Sequence, residues 1–326
     1  MSEAADARYR QVQSLAQAVV ARVQSIWSGL DPANILASLQ GDQGGAILDA
    51  VVAGQLTAAE GAQAFVGLAM AERGAAARAA AEIEPRALAG IASDGRPLTT
   101  LLFQPAITTY TTLVAGADPR TALLAGMNQM ARMVSTQIAD SSRAATSVAM
   151  TAHRRCVAYV RVVKLPACGR CIVLAGRQYT YSTGFQRHPK CDCGMDPVHS
   201  DEEWRALPGP EQLVAQMSPQ ERHRRLGAAA VEALEKGADL AQVVNARRGM
   251  QTLTGSRKGP TTTEATTLRG IAGKRLAIDL GADKLPRERY RRSKAPRLMP
   301  EEILRQTKDS SREEQLRLLK KHGYIY

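Results

Sequence analysis

Four of the five cysteines and one of the five histidines crowd into 26 residues, and this cluster constrains the fold more than any other feature of the chain. They stand as Cys168-Gly169-Arg170-Cys171 and, after a gap of sixteen residues, His188-Pro189-Lys190-Cys191-Asp192-Cys193. A C-x2-C pair presents two thiolates on one side of a tight turn, which Gly169 relieves. A second pair supplied from about 16–20 residues away completes a tetrahedral Zn2+ site. The cations Arg170, Arg187 and Lys190 favour thiolate and offset its charge. Five candidates compete for four places. Cys168 and Cys171 are two ligands; among His188, Cys191 and Cys193, two more bind and one is spare. Four protein ligands leave no open position for water, so the expected zinc is structural rather than catalytic.

Other chemistries of clustered cysteines fit less well. A secreted disulfide module would be preceded by a signal peptide, but Met1 to Arg10 carries Glu3 and Asp6 and lacks the basic and apolar regions of one. The reading is a soluble intracellular product or a component of a particle assembled inside a cell. A thioredoxin-like pair needs a βαβ context, which is absent. A zinc deaminase needs a Glu two residues after its upstream His or Cys, whereas His153 is followed by Arg154 and Arg155. Cys156, the fifth cysteine, reads as a small buried apolar residue.

The rest of the chain reads as mainly α. Residues 1–155 form an Ala-rich helical domain suited to binding a partner, with no Cys or His in 1–150. Val12, Leu15, Ala16, Val19, Val23, Ile26 and Trp27 make one apolar stripe at helical spacing. Asp31-Pro32 and Asp118-Pro119 each start a helix, the second running to about Arg155. Thr57-Ala58-Ala59-Glu60 reads as a capping box that opens a helix over 57–83, closed by Pro85, with glycines 41, 44, 45, 54 and 95 at breaks. The β-branched run 157–163 and residues 178–181 predict two strands, giving a small zinc-stabilised, β-containing module over 156–199. Residues 200–250 return to helix, including a helix capped by Ser218. Residues 251–298 read as a basic linker or extended arm, and 299–326 as a terminal helix capped by Ser311 and stopped by Gly323, followed by a tail.

Charge separates the halves. Residues 1–150 hold 10 Arg, no Lys and 12 acids, a net of −2; residues 151–326 hold 33 basic and 19 acidic side chains, a net of +14. A basic half beside a near-neutral one points to a polyanion. The densest patch, Arg287, Arg289, Arg291, Arg292 and Lys294, predicts sequence-independent phosphate contacts. No helix-turn-helix, aromatic RNA-recognition motif or zinc finger accompanies it. No stretch approaches the roughly 18–20 apolar residues of a membrane span.

The order of parts resembles the minor head proteins of tailed bacteriophages, the MuF-like head-morphogenesis family. Their hallmark C-x2-C followed by H-x-x-C-x-C is matched by Cys168, Cys171, His188, Cys191 and Cys193. Residues 243–249 and 316–325 are similar to actinobacterial-phage members. The resemblance implies a low-copy virion protein inside the capsid, associated with portal and capsid proteins and with packaged double-stranded DNA. It implies no enzyme, since no motif of the toxin, nuclease, protease or ADP-ribosyltransferase domains fused to some relatives is present. Two alternatives belong to other classes. A zinc-containing nucleic-acid-binding regulator would bind duplex through its basic half. A metal-dependent nuclease would need an open metal position and a base, for which His153 or His199 would have to serve.

Overall fold

The structure, a computed structural model, describes residues 1–185, 188, 191, 193–200, 208–253 and 259–326. By internal contacts the chain forms two units, Met1–Lys164 with Gly176–Leu207, and Leu165–Ala175 with Pro208–Tyr326. It is mainly helical with a few small sheets.

The first unit is built on α1 (Glu3–Trp27), α2 (Ile35–Gln40), α3 (Asp42–Glu60), α4 (Ala62–Glu72), α5 (Leu98–Leu102), α6 (Gln104–Val114) and α7 (Pro119–Ala152). The stripe on α1 is buried at Val12, Ala16, Val19, Val23 and Trp27, with Leu15 and Ile26 packed at its edge. It meets Ile47 and Val51 of α3 and Met130, Val134 and Ile138 of α7 in one core. The Trp27 indole N–H donates to the Leu123 carbonyl at 3.0 Å, so the largest core side chain is also hydrogen-bonded. Asp118 caps α7 by accepting from the N–H groups of Arg120 and Thr121.

Two expectations are corrected here. Thr57 opens no helix: it lies inside α3 and its hydroxyl donates to the Ala53 carbonyl at 3.0 Å, the bond a threonine makes in a helix interior. The helix that follows ends at Glu72, not at residue 83. Gly54 is no break either. It lies in mid-α3, where a Cβ would fall 2.7 Å from Val19 and Ile138, so its lack of a side chain lets three helices approach.

Strand β1 (Ala158–Val162) occupies the centre of an antiparallel sheet, flanked by β2 (Gln178–Thr180) and β3 (Gly194–Val198). All five β1 residues are buried, which explains its continuous rather than alternating pattern. β3, not foreseen, holds only Met195 and Val198 as large apolar residues and contains Pro197. Proline is tolerated there because β3 is an edge strand. Asp196 of β3 is fully buried and accepts from the Ser2 N–H (2.8 Å), the Ser2 hydroxyl (2.7 Å) and Arg73 (2.8 Å). The Glu72 carboxylate takes the next two free donors of α1, the N–H groups of Glu3 and Ala4.

The second unit contains α8 (Gly169–Ile172), α9 (Pro210–Ala215), α10 (Pro219–Leu226), α11 (Ala228–Glu235) and α12 (Leu240–Ala246). Strands β4 (Met250–Leu253), β5 (Gly259–Thr262) and β8 (Arg297–Leu298) form one antiparallel sheet. Between them lie α13 (Ile271–Leu280) and a hairpin of β6 (Ala282–Lys284) and β7 (Arg291–Ser293). The expected linker over 251–298 is thus corrected: its described residues carry a helix and five strands, the first of them beginning at Met250. Its small residues let backbones close on one another, as at Gly273, where a Cβ would meet the Thr267 carbonyl at 2.0 Å. Helices α14 (Pro300–Gln306) and α15 (Arg312–Lys321) follow, the latter capped by Ser311 as expected. The tail folds back. Tyr324 is fully buried and donates to Leu298 O at 2.8 Å, and its carbonyl accepts from Asp239 N–H. The guanidinium of Arg297 binds the carbonyls of His322 and Glu264 and lies 4.2 Å over the Tyr324 ring.

Candidate metal centre

Cys168 is the N-cap residue of α8; its carbonyl accepts from the N–H groups of Cys171 and Ile172, both at 3.0 Å. This one-turn helix is what holds the two thiols of the C-x2-C pair on one side. Gly169 has an ordinary φ, so its role differs from the expected relief of a turn. A Cβ there would lie 3.4 Å from Leu226 and Val244, and glycine keeps that packing slack.

The second cysteine pair is held from its own unit. The Cys191 N–H donates to the His188 carbonyl at 2.9 Å, a turn that brings the His-x-x-Cys pair together. Arg143, on α7, donates one nitrogen to the carbonyls of both Cys191 (3.1 Å) and Cys193 (2.9 Å) while its other nitrogen pairs with Asp140. Arg161, on β1 and only 2% exposed, places its Nη2 at 3.5 Å from the sulfurs of both Cys191 and Cys193. Its guanidinium stacks 4.2 Å over Phe185, and Phe185 packs with Tyr159 and Tyr179. A buried cation against two sulfurs favours thiolate over thiol and offsets part of the charge of a multi-thiolate centre. Sequence reasoning missed both arginines. Arg161 lies inside a β-branched run and Arg143 on a long helix, and only tertiary structure brings either to the cysteines.

Two groups of side chains have ligand atoms within 4.8 Å of one another: Cys168, Cys171 and His188, and Cys171, Cys191 and Cys193. Tetrahedral ligands at about 2.3 Å from a zinc stand about 3.8 Å apart, so the spacing suits such an ion. All five expected ligands fall in these groups, and the cysteines are free thiols rather than disulfides. The donor set is soft sulfur plus one imidazole and is buried apart from the half-buried Cys168 and His188. Such a set fits zinc or another thiophilic ion and does not fit calcium or magnesium. Arg187 and Lys190, expected to assist, lie outside the described residues.

Cys156 belongs to neither group. It is buried, its sulfur contacts the Ala158 carbonyl at 3.4 Å, and burial pushes its thiol up to about 11. His153 and His199 likewise join neither group among the described residues. Burial lowers the pKa of His153, and both its ring nitrogens lack hydrogen-bond partners among the described residues.

The phosphate-contact candidates all fall on the β6–β7 hairpin and its turn, but three of the five are already engaged. Lys294 pairs with Asp283 at 3.0 Å, Arg292 with Glu288 at 2.6 Å, and Arg291 donates to the Ala282 carbonyl. Arg287 and Arg289 are exposed in the turn, Arg287 in a left-handed conformation with φ 64°. Among the described residues no helix is long and apolar enough to cross a membrane.

The geometry defines a mainly helical chain whose clustered thiol and imidazole side chains could hold a metal ion, and comparison with known proteins adds its family. The profile of the VG15 protein family matches residues 1–219, through the whole helical unit and both cysteine pairs, and the chain belongs to that family, a phage-type one. No curated protein and no solved structure matches the chain.

Proposed function

We propose that this phage protein is a structural and assembly component of a tailed-phage head, present in few copies inside the capsid and associated with the portal. The observation that carries the reading is the held arrangement of Cys168, Cys171, His188, Cys191 and Cys193 inside a region matched by a phage protein family. That is the motif order by which the chain resembles the MuF-like minor head proteins. The metal is a structural Zn2+ held by four of the five side chains, supplying folding energy to a short cysteine-bearing segment. The protein is not an enzyme. The helical unit binds portal or capsid proteins. The basic second half, net +14 over 151–326, contacts packaged DNA through phosphates, chiefly from Arg287 and Arg289.

Quantitative mass spectrometry of purified, DNA-filled particles, scaled to the portal subunit, tests this. A few copies per portal ring is the expected result. Absence from particles, with the protein present in infected cells, would overturn it in favour of a nucleic-acid-binding regulator or a metal-dependent nuclease.

A further inference from the structure

The hairpin of β6 and β7 in the second unit carries two local costs. Its register sets Lys284 directly opposite Arg291 at the loop end, both exposed, and like charges so placed destabilise a ribbon. Beyond them the Glu288 N–H donates to the Leu285 carbonyl at 3.0 Å, closing a turn with Pro286 second and Arg287 third. Arg287 is held there at φ 64°, a left-handed position that suits glycine or asparagine. Acids do not balance this end. Residues 284–291 hold four cations and one acid, and that acid, Glu288, is paired with Arg292 at 2.6 Å. Asp283 is likewise paired with Lys294 at 3.0 Å. The side chains of Lys284, Arg287 and Arg289 make no ion pair or hydrogen bond among the described residues. Arg269 adds a further cation, 4.4 Å over the Tyr290 ring. Among these charges lie exposed apolar groups: Leu285 is 49% exposed, Tyr290 is 38% exposed, and Pro286 is exposed too.

A polyanion laid across the loop end relieves the repulsion between Lys284 and Arg291 and meets Arg287 and Arg289. Duplex DNA is a polyanion whose grooves also accept the apolar groups. Each strand of the hairpin has only three residues, about 10 Å, too short to lie along the major groove as longer two-stranded ribbons do. A tip that combines arginines with leucine and proline has instead the chemistry of minor-groove binders, which set arginine in the narrow groove and press an apolar wedge between base steps. We propose that the β6–β7 hairpin enters the minor groove of duplex DNA tip first, with Arg287 and Arg289 in the groove and Leu285 and Pro286 as the wedge, and that it bends the duplex. The inference rests on the DNA contact proposed above and goes beyond it, because phosphate contact alone requires neither groove entry nor a bend.

The test uses the full-length protein and a duplex of about 30 base pairs with a fluorophore at each end, binding being read by anisotropy and bending by energy transfer. The expected result is a bend of at least about 20°. Netropsin, which fills the minor groove, should displace the protein, and methyl green, which fills the major groove, should not. Leu285→Ser should abolish the bend and keep the salt dependence of binding, whereas Leu285→Met keeps both. A straight duplex, or displacement by methyl green and not by netropsin, would overturn groove entry; affinity that still falls with salt would leave the phosphate contact standing. No binding to the duplex even at low salt would overturn both readings.

Discussion

His322 shows how one side chain sets a pH limit on the second unit. It is 5% exposed, and its Nδ1 accepts from the Leu298 N–H at 3.1 Å. Burial, and then the neighbouring cations Lys321 and Arg297, lower its pKa to about 4. In the unfolded chain the imidazole takes up a proton near 6.5, which the folded form refuses. Stability conferred by this group is therefore complete above about pH 6.5 and falls as the pH drops toward 4, by about 3 kcal/mol in all. His322→Asn keeps an acceptor for Leu298 and cannot titrate. Urea unfolding between pH 7 and 4.5 should show the wild-type protein losing stability relative to this variant, and parallel curves would show that the imidazole titrates alike in the folded and unfolded states.

At the scale of elements, close approach between helices decides more than their propensity. Gly126 of α7 sits where a Cβ would fall 2.0 Å from the Thr109 hydroxyl and 2.7 Å from both the Pro105 carbonyl and the Trp27 ring. Gly126→Ala improves helix propensity yet should destabilise the protein by about 1–3 kcal/mol, read as a lower denaturant midpoint at unchanged slope. That contact is invisible in sequence, and it separates what could be read from what could not. The stripe on α1, the Asp118-Pro119 and Ser311 caps and strand β1 each carry their signal within a few residues. Thr57-x-x-Glu60 carried the same kind of signal and misled, because an uninterrupted helical run precedes it. β3 and the strands after residue 250 are short, poor in apolar residues and paired with distant segments, so their existence depends on tertiary contacts. The C-x2-C and H-x-x-C-x-C spacings announced the five candidate ligands, whereas Arg143 and Arg161 had no local signature.

For the whole molecule, the predictions concern what it holds. One zinc per chain is expected by elemental analysis of metal-replete protein. Cysteine-to-serine changes at 168, 171, 191 and 193, and His188→Ala, should divide into four that lower zinc content and one that leaves it unchanged. Retention of zinc by Cys168→Ser or Cys171→Ser would remove the proposed ligand set. The charge of the second half makes a separate claim about DNA. Because Arg291, Arg292 and Lys294 have partners inside the fold, Arg287→Gln with Arg289→Gln should account for most of the hairpin's phosphate contacts. The slope of log affinity against log salt should fall by about two for the double variant, uniformly across DNA sequences.

Asp196 gives the helical unit a timetable. The first turn of α1 is fastened through Ser2 to a carboxylate 194 residues later in the chain. At about 5–20 residues per second of synthesis, the two ends of that fastening emerge roughly 10 to 40 s apart. Until β3 emerges, Ser2 has no carboxylate to bind and the start of the oldest helix on the ribosome is held by Glu72 alone. A messenger cut short before residue 196 yields a chain that carries every helix of the unit and lacks the carboxylate that binds Ser2.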